Sequence, residues 1–313
     1  MAEYRHALEK GGVKHPCPSC QQMRFVRYVD TFTGEQVSDE VGRCDREDSC
    51  GYHLRPSEYF DREGTRPASA PKPERKPQNE PEPLQPSFID AKIMQATAAG
   101  YEQNNFCRWL CSVFGKDRAF ELVERYLVGT SKYSFSNKDF PSYRSEAGSC
   151  VFWQVDKNGK IRGGKVMLYD DSGSRVKKPF NHIQWVHKVM KIEPYHLHQC
   201  LFGEHLLSMD SDKPVGVVES EKTAVVAAGY IPEYVWLATA GKNNLNRNKL
   251  KALQGRRVKL YPDLGAFDKW KEIAGGVSGV SVSDILERRA SDADRAGGFD
   301  LADFLLRENR QTV

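Results

Sequence analysis

Apolar positions in the last third of the chain fall into short β-branched runs separated by helix-forming stretches. Val215-Gly-Val-Val218 stops at Glu219, and a helix-forming run to Gly229 begins at once. The pattern recurs as a strand Tyr234–Ala238, a turn Thr239–Asn243 and a helix to Leu253. A strand Arg257–Tyr261 then ends in Pro262-Asp263, followed by a helix Ala266–Ala274, a strand Val277–Val282 and a helix through Arg288. Such alternation predicts a parallel sheet with right-handed crossovers. Upstream, Val151–Val155, a turn at Asp156–Gly159, Ile161–Tyr169 and a turn at Asp170–Gly173 predict a β-meander. Residues 88–128 are helical in pattern, with Phe106, Trp109, Leu110 and Val113 on one face of Asn105–Phe114. Near the N-terminus Phe25–Val29 alternates like a strand, and Gly42-Arg-Cys44 closes a hairpin.

The expected architecture is multidomain, α+β and α/β. It comprises a β-ribbon in 1–60, a Pro-rich, extended linker in 61–87, a helical plus basic β-rich region in 88–199 and a parallel α/β domain in 200–313.

Composition narrows the classes. The 313 residues have room for about two domains, and 39% hydrophobic content fits a chain part of which lacks a core. No run of about 18 apolar residues occurs, so no membrane span is expected. The N-terminus lacks the apolar core of a signal peptide, so a cytoplasmic setting and reduced cysteines are expected. The net charge of +4 is compatible with a nucleic-acid partner without implying one.

Four of the eight cysteines have metal-ligand spacing. Cys17-Pro-Ser-Cys20 is a knuckle, and Cys44 and Cys50 form a second pair with five residues between them. Two pairs flanking a hairpin predict a structural Zn²⁺ ribbon, with His15 or His53 as alternatives to one cysteine. Cys107 and Cys111, four apart on one helix, read as core thiols. Around the ribbon, Arg24, Arg27, Arg43, Arg46 and Arg55 with Phe25, Tyr28 and Tyr52 suit phosphate contacts and base stacking, or equally a solvated face over a small core.

A second basic region lies in the meander. Lys157, Lys160, Arg162, Lys165, Arg175, Lys177 and Lys178, then Lys188 and Lys191, face only Asp156, Asp170 and Asp171. With Trp153, Tyr169 and Trp185 interleaved, the first seven are candidate nucleic-acid-binding residues. Glu219, Asp263, Asp300 and Asp303 are the candidate magnesium ligands, since acids at strand ends suit phosphate chemistry; helix N-caps and surface acids are the alternative. No G-x-x-x-x-G-K-[ST] loop occurs, which excludes a P-loop ATPase.

These residues carry a family resemblance. Val217-Val-Glu-Ser-Glu-Lys-Thr-Ala224 resembles the strand-to-helix glutamate motif of the Toprim domain, Tyr261-Pro-Asp263 its first aspartate strand and Gly298–Asp303 its later acidic motif, over roughly 200–308. The whole arrangement is similar to bacterial primases, and more narrowly to small zinc-ribbon and Toprim proteins of mobile elements. Two positions depart from the pattern. Asp263-Leu-Gly265 stands where the family has Asp-x-Asp, with Asp268 one turn further on, and Ser220 stands where it usually has glycine.

The resemblance implies Mg²⁺- or Mn²⁺-dependent nucleotidyl transfer on single-stranded DNA, with Glu219 and Asp263 catalytic and Lys222 facing phosphate near a helix N-terminus. Lys242 is a weaker phosphate candidate. Nucleotides and a separate helicase or replication initiator are the further partners implied. A binding protein with a degenerate Toprim site and a Toprim nuclease are the competing readings.

Overall fold

The computed structural model describes residues 5–9, 11–46, 50–65, 84–241 and 243–310. The chain forms two compact units, Met1–Glu82 and Pro83–Val313. Lys242 and most of the expected linker, residues 66–83, lie outside the described residues.

The first unit is a small antiparallel sheet. Its strands are β1 (His6–Leu8), β2 (His15–Pro16), β3 (Met23–Asp30), β4 (Gly42–Cys44) and β5 (His53–Leu54). They are ordered β1-β3-β4-β5, with β2 also on β3. Helix α1 (Pro56–Glu63) follows and ends at Gly64 in the left-handed conformation, so the first residues of the expected linker are helical. The buried apolar side chains here are few, Phe25 with Val41, Cys17 and Cys44. So small a core needs a staple.

The second unit begins with helices α2 (Ala91–Gln95), α3 (Asn105–Phe114) and α4 (Lys116–Arg125). The antiparallel sheet β6 (Val128–Ser131), β7 (Ser149–Val155), β8 (Ile161–Met167) and β9 (Ile183–Trp185) runs in simple chain order, the expected meander. Strand β7 is buried along its whole length. Cys150 and Phe152 face one core, which the α/β layer shares, and Val151, Trp153 and Val155 face a second. Trp153 and Tyr169, expected on a nucleic-acid surface, are therefore interior at 0% and 2% exposure. The indole N–H of Trp153 donates to Thr97 Oγ1 at 3.0 Å, and a Cβ on Gly164 would lie 2.8 Å from its ring.

Short helices α5 (Val186–Val189) and α6 (Leu206–Met209) lead into the α/β layer. It consists of β10 (Val215–Val218), α7 (Glu221–Tyr230), β11 (Val235–Ala238), α8 (Arg247–Lys251), β12 (Val258–Leu260), α9 (Phe267–Ala274), β13 (Val280–Val282), α10 (Ile285–Arg289), α11 (Asp292–Gly297) and α12 (Leu301–Arg310). All strand pairings in this sheet are parallel, in the order β11-β10-β12-β13. The chain steps from β10 to one side, then crosses back to build the other. The edge between β10 and β12 is thus the point where the winding reverses, the place where open α/β sheets bind ligands. Strand β13 is shorter than expected because Val277 closes a turn against Ala274. Among the described residues no helix is long and apolar enough to cross a membrane.

Strand β10 accepts its neighbours closely because Gly216 has no side chain: a Cβ there would sit 2.6 Å from the Trp236 ring. Gly216→Ala is expected to lower the stability of the second unit by about 2 kcal/mol through overpacking. Urea unfolding followed by tryptophan fluorescence reads it, since all five tryptophans lie in this unit. An unchanged midpoint would show that the sheet relaxes around the methyl.

Candidate metal centre and acidic cleft

Cys17 opens a tight turn in which the Gln21 N–H donates to Cys17 O and the Cys17 N–H to Gln22 O, both at 2.9 Å. Gln21 takes a left-handed φ of 58° to make that turn. Cys44 arrives on β4 opposite Phe25, and Cys50 is held by its N–H on Arg46 O. The four sulfurs lie within 4.8 Å of one another, with Cys17–Cys50 at 3.7 Å and Cys20–Cys44 at 3.9 Å. A disulfide requires about 2.05 Å. A tetrahedral zinc ion with bonds of about 2.3 Å separates its sulfurs by about 3.8 Å. The donor set therefore fits Zn²⁺.

Neither histidine competes for that ion. His15 Nε2 is 3.0 Å from Glu9 Oε2, and His53 Nε2 is 3.0 Å from the Tyr28 hydroxyl, on whose ring it stacks. The Tyr52 backbone N–H draws the Cys50 thiol below its ordinary pKa, while burial pushes that of Cys44 up.

The second centre is a cleft of about 540 Å³ at the carboxyl edge of β10 and β12. Glu219 follows β10 directly and is 4% exposed. Ser220 caps α7, its Oγ accepting from the Thr223 N–H at 3.1 Å, which gives a reason for serine at this position. Asp263 lines the cleft beyond β12, and Asp300 and Asp303 line it from the start of α12. The last two also cap that helix. Asp300 Oδ1 accepts from the Asp303 N–H at 3.0 Å, and Asp303 Oδ2 from the Asp300 N–H at 3.1 Å. Thr223 Oγ1 donates to Asp300 Oδ2 at 2.6 Å, so both Asp300 oxygens are engaged. Burial and the neighbouring Asp300 push the Asp303 carboxyl above its ordinary pKa.

The four carboxylates share one cleft but do not converge as the sulfurs do: among the described residues, only the thiols meet as a group of three or more. Hard oxygen donors suit Mg²⁺ or Mn²⁺, and Mg²⁺ is commonly held by one or two carboxylates with water and substrate phosphates. Glu219 and Asp263, just beyond the ends of adjacent strands, fit that role better than the capping pair. Gly265 takes a φ of +81°, in the left-handed region that favours glycine, with its N–H on Glu287 Oε1 at 2.7 Å. Asp268 is exposed on α9 and does not line the cleft.

Cations face these acids. Lys165, Arg175, Lys177 and Lys222 line the cleft. Lys165 pairs with the buried Glu221 at 3.0 Å and donates to Ala240 O; Ala240 itself sits at a φ of +64°. Lys222 is turned inward. Its Nζ donates to Gly173 O at 2.7 Å and lies 4.7 Å from the Trp109 ring centroid, and burial lowers its pKa against the pull of Asp300 and Asp303. Lys157, Lys160 and Arg162 gather instead around the Asp156–Gly159 turn. Arg162 pairs with Asp156 at 2.6 Å, and Arg162 and Lys160 lie over Phe88 at 4.8 and 6.0 Å. Lys178 is exposed and lines no part of the cleft. Of the seven expected nucleic-acid-binding residues, three therefore line the cleft, three gather at the Asp156–Gly159 turn and Lys178 lies at neither.

Two groups at this edge escaped the sequence reading. Glu221 follows Glu219 by two residues, a spacing that is visible in the sequence, yet only the fold gives it Lys165. Lys249, 8% exposed on α8, donates to Thr239 O at 2.8 Å and so holds the turn that leads to Ala240.

Two predictions follow from these contacts. Purified protein should carry about one zinc per chain, lost in Cys20→Ser and retained in His15→Gln and His53→Gln by metal analysis; zinc retained in Cys20→Ser would refute the four-thiolate site. Burial lowers the Lys249 ammonium from 10.5 to about 8. The unfolded chain then binds the extra proton between those values, so this lysine costs stability below about pH 8 and the cost fades as pH rises. From pH 7 to 9.5 wild type should gain stability relative to Lys249→Met in urea melts; parallel profiles would contradict this.

Residues 104–264, just over half of the chain, match the family model described as "Domain of unknown function (DUF6371)". Residues 4–65 match that of a zinc beta-ribbon finger. No curated protein matches the chain. Among solved structures, the DnaG primase catalytic domain bound to ssDNA is similar over 71% of this chain and 81% of its own, at 15% identity and a TM-score of 0.43. The E. coli primase catalytic core covers 71% and 85% at 14% identity and 0.40. The primase fragment of the bacteriophage T7 primase-helicase protein covers 88% and 90% at 15% identity and 0.37.

Proposed function

The chain belongs to the DUF6371 family, and we propose that it is a primase-like nucleotidyltransferase, dependent on Mg²⁺ or Mn²⁺, that acts on single-stranded DNA. The observation that carries this reading is the meeting of Glu219 and Asp263 with Lys165, Arg175 and Lys177 in one cleft at the sheet's switch point. Carboxylates alone would suit a metal, and cations alone an anion; the two together suit a metal with a polyphosphate. A divalent ion held by Glu219 and Asp263 supplies Lewis acidity toward phosphoryl oxygens. Arg175 and Lys177, exposed on the rim, bind and orient phosphate.

Lys165 holds Glu221 and the Ala240 carbonyl, keeping the strand end in place. Lys222, also in the cleft lining, is tethered to the 170–174 turn through Gly173 O and to the Trp109 ring. The Toprim assignment, the setting in a mobile element and a separate helicase or initiator partner rest on the sequence resemblance. The zinc ribbon is proposed to engage template.

A non-catalytic DNA-binding reading is favoured by one observation, Gly265 in a left-handed conformation where a second metal-binding aspartate would stand. The assay that separates the readings supplies single-stranded template, labelled nucleotides and Mg²⁺ or Mn²⁺. New oligonucleotide is expected, falling at least about 100-fold in Glu219→Gln. Shortened template with no new product would favour a nuclease, and template binding with neither product would favour the binding protein.

A further inference from the structure

The meander carries a second feature beside the cleft. We propose that the ring column Phe140–Phe180–His182 is a stacking step for a base of single-stranded nucleic acid leaving or entering the cleft, a proposal that rests on the nucleic-acid reading above. Phe140 is 40% exposed. It stacks on Phe180 at 6.0 Å and 26°, and Phe180 on His182 at 4.6 Å and 10°. Of the exposed phenylalanines Phe32, Phe88 and Phe140, among the described residues only Phe140 ends such a column.

The column is rigid below its exposed face. His182 is 1% exposed and held on both ring nitrogens, by the Tyr143 hydroxyl at 2.9 Å and by Val176 O at 3.2 Å. Tyr143 meets Phe180 and His182 edge-on, and the buried Phe135 meets His182 likewise. Phe140 is fixed from its own side by an N–H bond to Asn137 O at 3.0 Å, and its carbonyl accepts from Tyr143 N at 3.0 Å. A rigid ring face costs little ordering entropy when a base settles on it.

Charge singles out the partner. The segments 132–147 and 175–180 carry Lys132, Lys138, Arg144, Arg175, Lys177 and Lys178 against Asp139 and Glu146. Lys138, Arg144, Lys177 and Lys178 are exposed and make no ion pair among the described residues. An aromatic face on segments that also carry exposed, unpaired cations matches alternating bases and phosphates; in a duplex the base faces are already stacked. The step is also continuous with the cleft, because Lys177 lines it and Phe180 is three residues on, at most about 11 Å along the chain.

Fluorescence anisotropy of the full chain with a labelled oligothymidylate tests this. Phe140→Ala should weaken binding about ten-fold with an unchanged salt slope, because stacking releases no counterions. Phe140→Trp should restore it. Lys177→Gln with Lys178→Gln should flatten the slope by about 0.7 per charge. Met209→Ala, which removes another exposed apolar side chain (67%), should change nothing. Wild-type affinity in Phe140→Ala, or equal losses on duplex and single strand, would overturn the step while leaving the nucleic-acid reading intact. No binding by the wild-type chain would overturn both.

Discussion

The parallel pairing of β10 between β11 and β12 is the constraint on which the cleft depends. Val217 pairs with Leu237 on one side and Leu260 on the other, so the chain leaves β10 and β12 at the same edge. Glu219 and Asp263 follow those exits and face one volume. A strand order that wound in one direction only would leave no reversal there, and the crevice would be filled by a crossover. Gly216 makes the arrangement tight by admitting Trp236, whose ring lies 5.1 Å from Tyr261 just before Pro262-Asp263.

Sheet and meander are joined across the cleft by two half-buried lysines. Lys165, on β8, reaches Glu221 and Ala240; Lys222, on α7, reaches back to Gly173. Both carry charge into partly desolvated surroundings, a cost offset by the hydrogen bonds and carboxylates they meet. The result is a cleft whose acids come from the sheet and α12 and whose open cations, Arg175 and Lys177, come from the meander. Zinc in the first unit solves a different problem, replacing a core that Phe25 and its few neighbours cannot supply.

The period of apolar residues made the alternating layer legible, and paired thiols around a hairpin made the metal centre so. Charge density was a poorer guide to surface. The basic run from Lys157 to Lys178 looks continuous in sequence, but Lys160 and Arg162 lie at Phe88 while Lys165, Arg175 and Lys177 line the cleft. Trp153 and Tyr169 misled because β7 and β8 lie between two cores, which period-two alternation does not reveal when both faces are apolar. Lys222 sits near a helix N-terminus as expected, yet Trp109, more than a hundred residues away in sequence, turns it inward. Asp300 and Asp303 serve as caps and as cleft lining at once, so the two readings of those acids were not alternatives.

The central claim is that Glu219 and Asp263 hold a divalent ion together with a polyphosphate. Mn²⁺ titration by electron paramagnetic resonance, with a nucleoside triphosphate present and the ribbon loaded with zinc, measures it directly. The account predicts protein-bound Mn²⁺ that is lost in Glu219→Gln and in Asp263→Asn. Equal binding by wild type and both variants, or none by wild type, would contradict it.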